Sequence, residues 1–324
     1  MLTPNVRSRL LALALCLSYA AIVSAQEFPR KSIRIIVPYP PGSSGDVMMR
    51  LLSQRLSDAF RQPVIIDNRA GGGGIVGAEL VAKAAADGYT LFFTAINHVT
   101  NVALYSKLPF DAQRDFAAVS LVADVPVILV AHPATGFKTT KDLIDAAKAK
   151  PRQLNFGSAG GGTGGHLAME MFMRAAGINL THVPYKGATP ALTDVVAGQV
   201  QVLFTGVPPT LPFIKEGRLN PLVISGAKRS PTLPNTPSMQ DIGMLKSDVQ
   251  VWFGLVTRAG VPKPIVRQIS TEVARLMREP EMMAKFAAQG IDPVGSTPEE
   301  FEQTIRRDFE RLPRLIRESG IKAE

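Results

Sequence analysis

Short apolar runs alternate with amphipathic segments along most of the chain, and stretches rich in glycine and proline separate them. The β-rich run at 32–37 is followed by a proline- and glycine-rich stretch at 38–45, which predicts a strand and then a loop. Apolar positions within 47–60 recur near helical spacing, and we expect Asp46 to cap that helix. Strand, loop and helix then repeat, a pattern typical of an α/β protein with a mostly parallel sheet.

Two longer apolar, strand-like stretches, 119–131 and 249–257, flank a second set of alternating strands and helices. They predict two α/β lobes joined by two crossings, a two-strand hinge, with a ligand cleft between the lobes. We expect lobe 1 to contain 26–124 and 251–324, and lobe 2 to contain 125–250. The other predicted elements are strands at 64–66, 89–94, 154–157, 199–205 and 222–225, and helices at 75–86, 166–176, from Thr189-Pro190, at 264–278 and at 298–318.

The first 25 residues have the features of a secretory signal peptide. Arg7 and Arg9 precede an apolar run at 10–23, and small residues before and at Ala25 provide a cleavage site. The run is shorter than the about 20 residues that a spanning helix needs, although an uncleaved anchor remains an alternative. We therefore expect export to the periplasm. The single cysteine, Cys16, lies in this segment, so the exported chain has neither disulfides nor cysteine-based zinc sites.

The net charge leaves several kinds of partner open. Lys and Arg number 36 against 27 Asp and Glu, a formal charge of +9, which suits nucleic acid, an anionic surface or an anionic ligand. Two of these charges lie in the signal segment. The basic residues of the last predicted helix alternate with acidic ones, as on an ordinary solvated helix face, and few aromatic residues accompany them. We therefore expect no nucleic-acid partner and retain an anionic ligand.

Glycine-rich loops are the most prominent local motifs. A G-x-G-x-x-G pattern occurs at 72–77 and again at 160–165, but the first lacks the acidic residue expected after the next strand of a dinucleotide site. Three loops, at 42–46, 71–74 and 158–163, precede predicted helices. Free N–H groups and the helix dipole favour an anion at such positions. If the first and third loops face each other across the cleft, they could hold a carboxylate or phosphate without arginine.

Motifs for catalysis or for a metal are absent from the sequence. There is no G-x-S-x-G, no H-x-x-x-H and no carboxylate cluster, and we expect no metal and no cofactor. His166 follows a glycine loop at a helix start, where the dipole disfavours the imidazolium, so a neutral hydrogen-bonding role is favoured. An exported enzyme that uses the same cleft stays an alternative, but no nucleophile–base pair is evident.

Several motifs follow one another in a fixed order, namely IIVPYPPGSSGD at 35–46, DNRAGGGG at 67–74, DGYTL at 87–91, NFGSAG at 155–160, HVPYKG at 182–187 and PTLP at 231–234. Together they resemble the Bug family, the extracytoplasmic solute receptors of tripartite tricarboxylate transporters, over nearly the whole chain after the signal segment. The resemblance implies a type II periplasmic-binding-protein fold, closure of the lobes on a small carboxylate, and delivery to the permease subunits without chemistry.

The resemblance also implies which residues form the site. In such receptors the loops after the first strand of each lobe hold a ligand carboxylate, partly through water. The implied ligand-binding residues are Tyr39, Ser43, Ser44, Thr94, Asn97, Ser158, Ala159, Gly160, Thr163, Tyr185, Gly187 and Thr205. Asp46, His166 and Asp194 are expected to organise loops and helix starts.

The chain departs from the family pattern at two positions. Ser43 stands where the first loop often has a second glycine, and His98 follows Asn97 where a proline is common. Both lie where the distal part of a ligand would be bound, so the ligand could be a di- or tricarboxylate, an acidic amino acid or an aromatic carboxylate. A monomeric receptor for a permease and a receptor for a membrane signalling protein are both compatible with these residues.

Overall fold

The strands form two separate sheets. The computed structural model describes residues 28–39, 41, 43–185, 187–244, 251–288 and 290–321, without the side chains of Ser44 and Ser319. The signal peptide expected at 1–25 lies outside these residues. In chain order the strands are β1 (Ile33–Val37), β2 (Val64–Asn68), β3 (Thr90–Ala95), β4 (Phe116–Asp124), β5 (Val127–Ala131), β6 (Asn155–Ser158), β7 (Thr181–Pro184), β8 (Val202–Gly206), β9 (Asn220–Ile224), β10 (Trp252–Arg258) and β11 (Asp292–Pro293).

Helices connect most of these strands, and short 3₁₀ turns occur at Gly72–Gly74 and Pro133–Thr135. In chain order the α-helices are α1 (Ser44–Phe60), α2 (Ile75–Ala82), α3 (Asn97–Leu104), α4 (Thr140–Ala149), α5 (Gly164–Ala176), α6 (Ala188–Val196), α7 (Val207–Lys215), α8 (Lys263–Met277), α9 (Pro280–Ala288) and α10 (Pro298–Ser319).

The two sheets share one strand arrangement. The first has the order β11-β4-β10-β3-β1-β2, and the second has the order β7-β6-β8-β5-β9. In the first, β1 is parallel to β2 and β3, while β10 is antiparallel to β3 and β4. In the second, β6 is parallel to β7 and β8, while β5 is antiparallel to β8 and β9. This arrangement confirms the predicted α/β fold with two lobes, but both sheets are mixed and not mostly parallel as expected, because the crossing strands β10 and β5 run antiparallel to their neighbours.

The crossings place the ends of the parallel strands together. The chain leaves the first sheet after Asp124, enters the second at Val127 and returns at Trp252. Trp252 pairs with Asp124, and Val127 pairs with Gly206, the last residue of β8. Both crossings therefore lie at the carboxyl ends of the parallel strands of both sheets. The loops that follow β1, β2, β3, β6, β7 and β8 face this region, where ligand sites of open α/β sheets occur.

Apolar side chains fill both faces of each sheet. On the first sheet, Ile35 and Val37 face a cluster with α1, α8 and α9, while Ile36 faces a cluster with α2, α3 and α10. Burial on both faces explains why a strand such as β5 is a continuous apolar run rather than an alternating one. The second sheet also has two clusters. Leu167 of α5 belongs to a cluster of the first lobe, so the lobes contact each other beside the crossings.

The predicted cap of the first helix was wrong by three positions. Ser43 is the N-cap, with extended φ and ψ of −66° and 158°, and its hydroxyl accepts from the N–H of Asp46. Asp46 lies in the first turn of α1. A serine followed by two small residues is as good a cap as an aspartate, and propensity alone did not separate them.

Several elements were missed by the sequence analysis, namely α3, α4, β7, α7 and α9. α3 starts without a side-chain cap, and α7 begins Val207-Pro208-Pro209 with a further proline inside, so neither has an ordinary helix signal. Proline is accepted in a first turn because those N–H groups have no partner in the helix. The helix predicted at 75–86 ends earlier, at Ala82, and the one predicted at 166–176 begins earlier, at Gly164.

Candidate functional site

The loop after β1 begins with a tyrosine packed into the first lobe. The ring of Tyr39 meets Phe93 and Phe253 edge-on, each with ring centroids 6.0 Å apart. Burial raises the pKa of the Tyr39 hydroxyl, which is therefore neutral. The Tyr39 carbonyl accepts a hydrogen bond from Asn68 Nδ2 at 3.0 Å. Tyr39 thus anchors the start of this loop against β2 and β10.

A buried carboxylate holds the same loop to the helix that follows. Asp46 is 1% exposed. Its Oδ1 accepts from Asn68 Nδ2 at 2.8 Å, and its Oδ2 accepts from Arg50 Nε at 2.9 Å. Because Asn68 Nδ2 also donates to the Tyr39 carbonyl, Asp46 connects α1, the end of β2 and the loop after β1.

The third loop of lobe 1 places Asn97 and Thr94 at the carboxyl end of β3. The Nδ2 groups of Asn97 and Asn101 both donate to the carbonyl of Gly73, the second at 3.1 Å. This orients the Asn97 amide, and its Oδ1 is buried with no hydrogen-bond partner among the described residues. Thr94 is buried, and its Oγ1 reaches only the Ala95 carbonyl, at 3.5 Å. Asn97 therefore provides a side-chain acceptor at this end of the sheet, whereas the glycine turn at Gly72–Gly74 has only backbone groups to provide.

The loop after β6 is closed on itself by two hydroxyls. The fully buried Ser158 has its Oγ 2.7 Å from His182 Nε2, and the same oxygen accepts from the Gly160 N–H at 3.1 Å. Thr163 Oγ1 donates to the Gly160 carbonyl at 2.8 Å, and Thr163 is the N-cap of α5. These bonds hold Gly160 from both sides.

Two stacked imidazoles lie beneath this loop. The rings of His182 and His166 are 3.9 Å apart at 22°, and His182 also stacks on Phe156 at 4.8 Å. His166 Nδ1 accepts from the Gly162 N–H at 3.2 Å, and its Nε2 lies 3.5 Å from Glu170 Oε1. Burial, and then the neighbouring His166, lower the pKa of His182 to about 4, so His182 is neutral at neutral pH.

Every second N–H group of the loop after β6 remains available to bind a ligand. Gly160 donates to Ser158 and Gly162 donates to His166, whereas in the described part of the chain the N–H groups of Ala159 and Gly161 have no acceptor. They lie just before the amino end of α5, where the helix dipole adds positive potential. Such a set of donors is suited to an oxyanion.

The remaining predicted residues lie around the same sheet edge. Tyr185 donates its hydroxyl to Asp194 Oδ2 at 2.7 Å, and burial, followed by Asp194, raises the pKa of Tyr185 to about 12. Gly187, with φ of +120°, precedes the first turn of α6. Thr205 is buried on β8 opposite Ile128, next to the first crossing. Tyr185 thus already has a polar partner, and Asp194 ties the end of β7 to α6.

The lobes touch beside these loops through residues that the sequence analysis missed. Thr100 Oγ1 of α3 donates to the Gly162 carbonyl at 3.2 Å. Gly162 has φ of +71°, and a Cβ there would come within 2.1 Å of Leu104 Cδ1, so a larger residue would be strained and would displace the Leu104 side chain. Thr100 and Leu104 had no sequence signal because they lie on a helix that was not predicted.

Ser158 and His182 correct one sequence-based expectation. No nucleophile–base pair was evident along the chain, but the structure brings Ser158 Oγ and His182 Nε2 into hydrogen-bond contact. The serine has no exposed surface, and the imidazole lies against two rings. Among the described residues no carboxylate hydrogen-bonds to His182 as the third member of a triad would.

Other candidate features lie elsewhere or are missing from the described ranges. No group of three or more His, Cys, Asp or Glu side chains that could hold a metal ion occurs there. No helix in those ranges is both long and apolar enough to cross a membrane. A cavity of about 870 Å³, lined by His98, Phe116 and Val256 among others, lies at the amino end of β4, opposite the crossings.

The fold and the paired glycine loops define a two-lobe solute-binding protein of type II topology. The chain belongs to the tripartite tricarboxylate transporter receptor family: residues 48–321 match the family "Tripartite tricarboxylate transporter family receptor". This is a family of substrate-binding receptors. The predicted resemblance to Bug proteins is thereby confirmed.

Individual relatives agree with this assignment. The chain is 34% identical over 305 residues to "Protein BugT" of Bordetella pertussis, covering 94% of each chain. It is similar to the solved structure "R. palustris Rpa4515 with adipate", with 31% identity, a TM-score of 0.83 and coverage of 92% of this chain and 100% of that one. It is also similar to "MatC (Rpa3494) from Rhodopseudomonas palustris with bound malate", with 27% identity, a TM-score of 0.78 and coverage of 89% and 100%.

Proposed function

We propose that this protein is an exported receptor that captures a small carboxylate by closing its lobes and delivers it to the permease of a tripartite tricarboxylate transporter. The observation that carries the proposal is the loop after β6, with the acceptor-free N–H groups of Ala159 and Gly161 before the amino end of α5. A carboxylate has the charge and the paired oxygens that such donors bind.

The opposing loop of lobe 1 supplies the second half of the site. Ser43 caps α1, whose first N–H groups have no acceptor within the helix, and Asn97 adds a buried acceptor at the end of β3. The ligand would thus be bound by N–H groups and hydroxyls, with Asn97 Oδ1 free for a donor on the ligand or for water. The adipate and malate in two similar structures support a di- or tricarboxylate, ahead of an acidic amino acid or an aromatic carboxylate.

Closure would move two rigid units about the crossings. Residues 26–124 with 251–324 form one unit in this proposal, and 125–250 form the other. The contact of Thr100 with Gly162 joins the units beside the ligand loop. A ligand bound between the loops would favour the closed arrangement by contacting both units at once.

The cellular setting follows from the same proposal. Residues 1–25 would direct export and be removed, leaving a monomeric receptor in the periplasm. Output to a membrane signalling protein in place of a permease would use the same site, and only the partner would differ. An exported enzyme is the less favoured alternative because Ser158 has no exposed surface and because no third group hydrogen-bonds to His182 among the described residues.

A thermal-shift screen tests the proposal directly. Adipate, malate, citrate, aspartate and an aromatic carboxylate are compared with their amides, and the protein is incubated with each hit before mass analysis of the ligand. A ligand at 100 times its Kd stabilises the fold by about 2.7 kcal/mol. We expect a shift with at least one carboxylate and none with its amide. No shift with any carboxylate would overturn the receptor function, and chemical conversion of the hit would favour the enzyme.

A double variant tests the placement of the site. Ser158→Ala with Ser44→Ala is expected to weaken carboxylate binding, because the Ser158 hydroxyl holds the loop after β6 and Ser44 is the first residue of α1. Met169→Leu is the matched control, since Met169 is fully buried in the core of lobe 2. Equal Kd values for the double variant and the wild type would show that the ligand binds elsewhere.

A further inference from the structure

We propose that His166 and His182 are positioning residues for the carboxylate loop, and that each acts through one particular ring nitrogen as a hydrogen-bond acceptor. The inference rests on the proposed function, since the loop they hold is the one assigned to the carboxylate. It concerns side chains that are not themselves expected to touch the ligand.

One set of hydrogen bonds joins His182 to the start of the loop. Ser158 Oγ accepts from the Gly160 N–H at 3.1 Å and lies 2.7 Å from His182 Nε2 and 3.2 Å from the Gly160 carbonyl. That carbonyl already accepts from Thr163 Oγ1 at 2.8 Å. The single hydroxyl hydrogen of Ser158 is therefore best used on His182 Nε2, the nearer acceptor. The chain of contacts runs from His182 through Ser158 to Gly160.

A second set joins His166 to the end of the loop. His166 Nδ1 lies 3.2 Å from the Gly162 nitrogen, and a backbone N–H can only donate, so Nδ1 must be unprotonated. The Gly162 carbonyl in turn accepts from Thr100 of the other lobe at 3.2 Å. His166 therefore fixes a residue of the loop that also touches lobe 1.

The alternation of the N–H groups connects both sets to the ligand. The Gly160 N–H donates to Ser158, which contacts His182, and the Gly162 N–H donates to His166. The N–H groups of Ala159 and Gly161 have no acceptor among the described residues. Rotating either occupied peptide would change the direction of the free ones next to it. The two histidines thus determine which N–H groups can meet a carboxylate.

Stacking makes the two halves one unit. The rings lie 3.9 Å apart, and Phe156 contacts both of them, with its ring centroid 4.8 Å from that of His182 and 5.8 Å from that of His166. A tilt of one ring would be transmitted to the other because interiors are close-packed. The lowered pKa of His182, about 4, agrees with a ring that acts as a neutral acceptor.

Paired substitutions distinguish acceptor roles from simple packing. Asn places its amide near the position of Nδ1, and Gln places its amide near the position of Nε2. We expect His166→Asn and His182→Gln to keep the Kd for the carboxylate found in the screen, adipate or malate, within about threefold. His166→Gln and His182→Asn are expected to weaken it at least about tenfold, the equivalent of one hydrogen bond.

His132 provides the matched control. Its Nδ1 accepts from the Ala134 N–H at 3.3 Å, so the same kind of bond is made in the same lobe, but after β5 and away from the crossings. His132→Asn and His132→Gln should both leave the Kd unchanged. If Asn and Gln weaken binding equally at 166, or equally at 182, the pair acts by packing alone and the proposal is overturned.

A spectroscopic measurement needs no ligand. Nitrogen NMR of the imidazoles at pH 7 should show both rings neutral, with an unprotonated Nδ1 on His166 and an unprotonated Nε2 on His182. The opposite tautomers, or a charged ring, would overturn the proposal even where carboxylate binding is normal. Correct tautomers in a protein that binds no carboxylate would instead count against the receptor function, so the two failures are distinguishable.

Discussion

The two lobes build the same loop in different ways. In lobe 1 a charged side chain, the buried Asp46, joins the loop after the first strand to the helix that follows and to the neighbouring strand. In lobe 2 the corresponding loop is held by Ser158 and a stack of two imidazoles. The strand order is the same in both sheets. In the proposed carboxylate site, ordered N–H groups would therefore matter more than any one kind of supporting side chain.

The difference also concerns where the loop is supported from. Asp46 reaches Asn68 at the end of the adjacent parallel strand and Arg50 one turn along its own helix. His182 approaches from the adjacent parallel strand, while His166 approaches from the helix. Each lobe thus uses one contact from the next strand and one from the following helix. The charge differs between the lobes, but the geometry of support is shared.

The largest expected effect comes from a glycine of lobe 2. A Cβ on Gly165 would lie 2.3 Å from the carbonyl oxygen of Phe204, and backbone cannot move aside as a side chain can. Gly165→Ala should therefore lower the free energy of unfolding by at least about 3 kcal/mol, measured by urea denaturation, because it pushes α5 away from β8.

Gly77 of lobe 1 is the matched control for this close approach. A Cβ there would meet the Phe92 and Ile36 side chains, at 2.9 and 3.2 Å. Gly77→Ala is expected to cost only about 1 kcal/mol. A larger loss for Gly77→Ala than for Gly165→Ala would show that lobe 2 is not the more tightly constrained of the two.

The second-largest effect on stability is expected from Asp46, the carboxylate that supports the loop of lobe 1. Asp46→Ala removes the acceptor of a part-buried amide and of a guanidinium, which should cost about 2–3 kcal/mol in a denaturation experiment and weaken carboxylate binding as well. Asp58→Ala, an exposed acidic position on the same helix, should change neither quantity. Normal binding by Asp46→Ala would show that the loop of lobe 1 is held by other contacts.

Acid should destabilise the fold through its buried histidines. Burial lowers the pKa of His98 in lobe 1 from 6.5 to about 4, although its Nε2 bonds the Ala112 carbonyl at 2.8 Å. Between these pH values only the unfolded state takes up the proton, so stability falls as pH falls from about 6.5 towards 4 and levels off below. The loss between pH 7 and pH 5 is about 2 kcal/mol for His98 alone.

His98→Gln isolates this contribution, because its amide can still donate to the Ala112 carbonyl but cannot titrate. Denaturation at pH 7 and pH 5 should show a loss smaller by about 2 kcal/mol than in the wild type. His182 in lobe 2 is only half-buried, and its share should be smaller. An unchanged pH dependence in His98→Gln would place the acid sensitivity in lobe 2 instead.

The smallest effect is expected from an exposed ion pair between the lobes. Arg174 Nη1 of α5 lies 2.7 Å from Glu318 Oε2 of α10. Glu318→Gln should change the free energy of unfolding by less than about 1 kcal/mol, as is usual for exposed pairs. Any effect should appear in the ligand dissociation rate, because the pair joins the two lobes, and it should vanish in high salt. A destabilisation well above 1 kcal/mol would contradict a surface role.

The fold was largely predictable because its main signals are local. The run at Val127–Ala131 is buried throughout and therefore continuously apolar, and glycine and proline mark the loops between many of the strands. The crossings appeared as the long apolar stretches at 119–131 and 249–257. α7 was not predictable in the same way, because its stability comes from packing on β8 rather than from its proline-rich sequence.

The site was predictable only in part, because the sequence does not show which strands lie next to each other in a sheet. Ser158 and the glycines after it could be found because they precede a helix. His182 stands 24 positions further along, and it reaches Ser158 only because β6 and β7 are parallel neighbours with Phe156 opposite His182. Periodicity along one strand does not show which strand lies beside it. The contact of Thr100 with Gly162 was hidden for the same reason, because it joins separate lobes.

The single tryptophan has a practical consequence. Trp252 is fully buried opposite Asp124 at the second crossing, with its indole N–H donating to Asp308 Oδ2 at 2.7 Å and its ring edge-on to Phe301. Indole emission responds to a nearby carboxylate and to the polarity around the ring. The single tryptophan therefore lies at the second crossing, and stopped-flow tryptophan fluorescence would follow the rate of the proposed lobe closure without any attached dye.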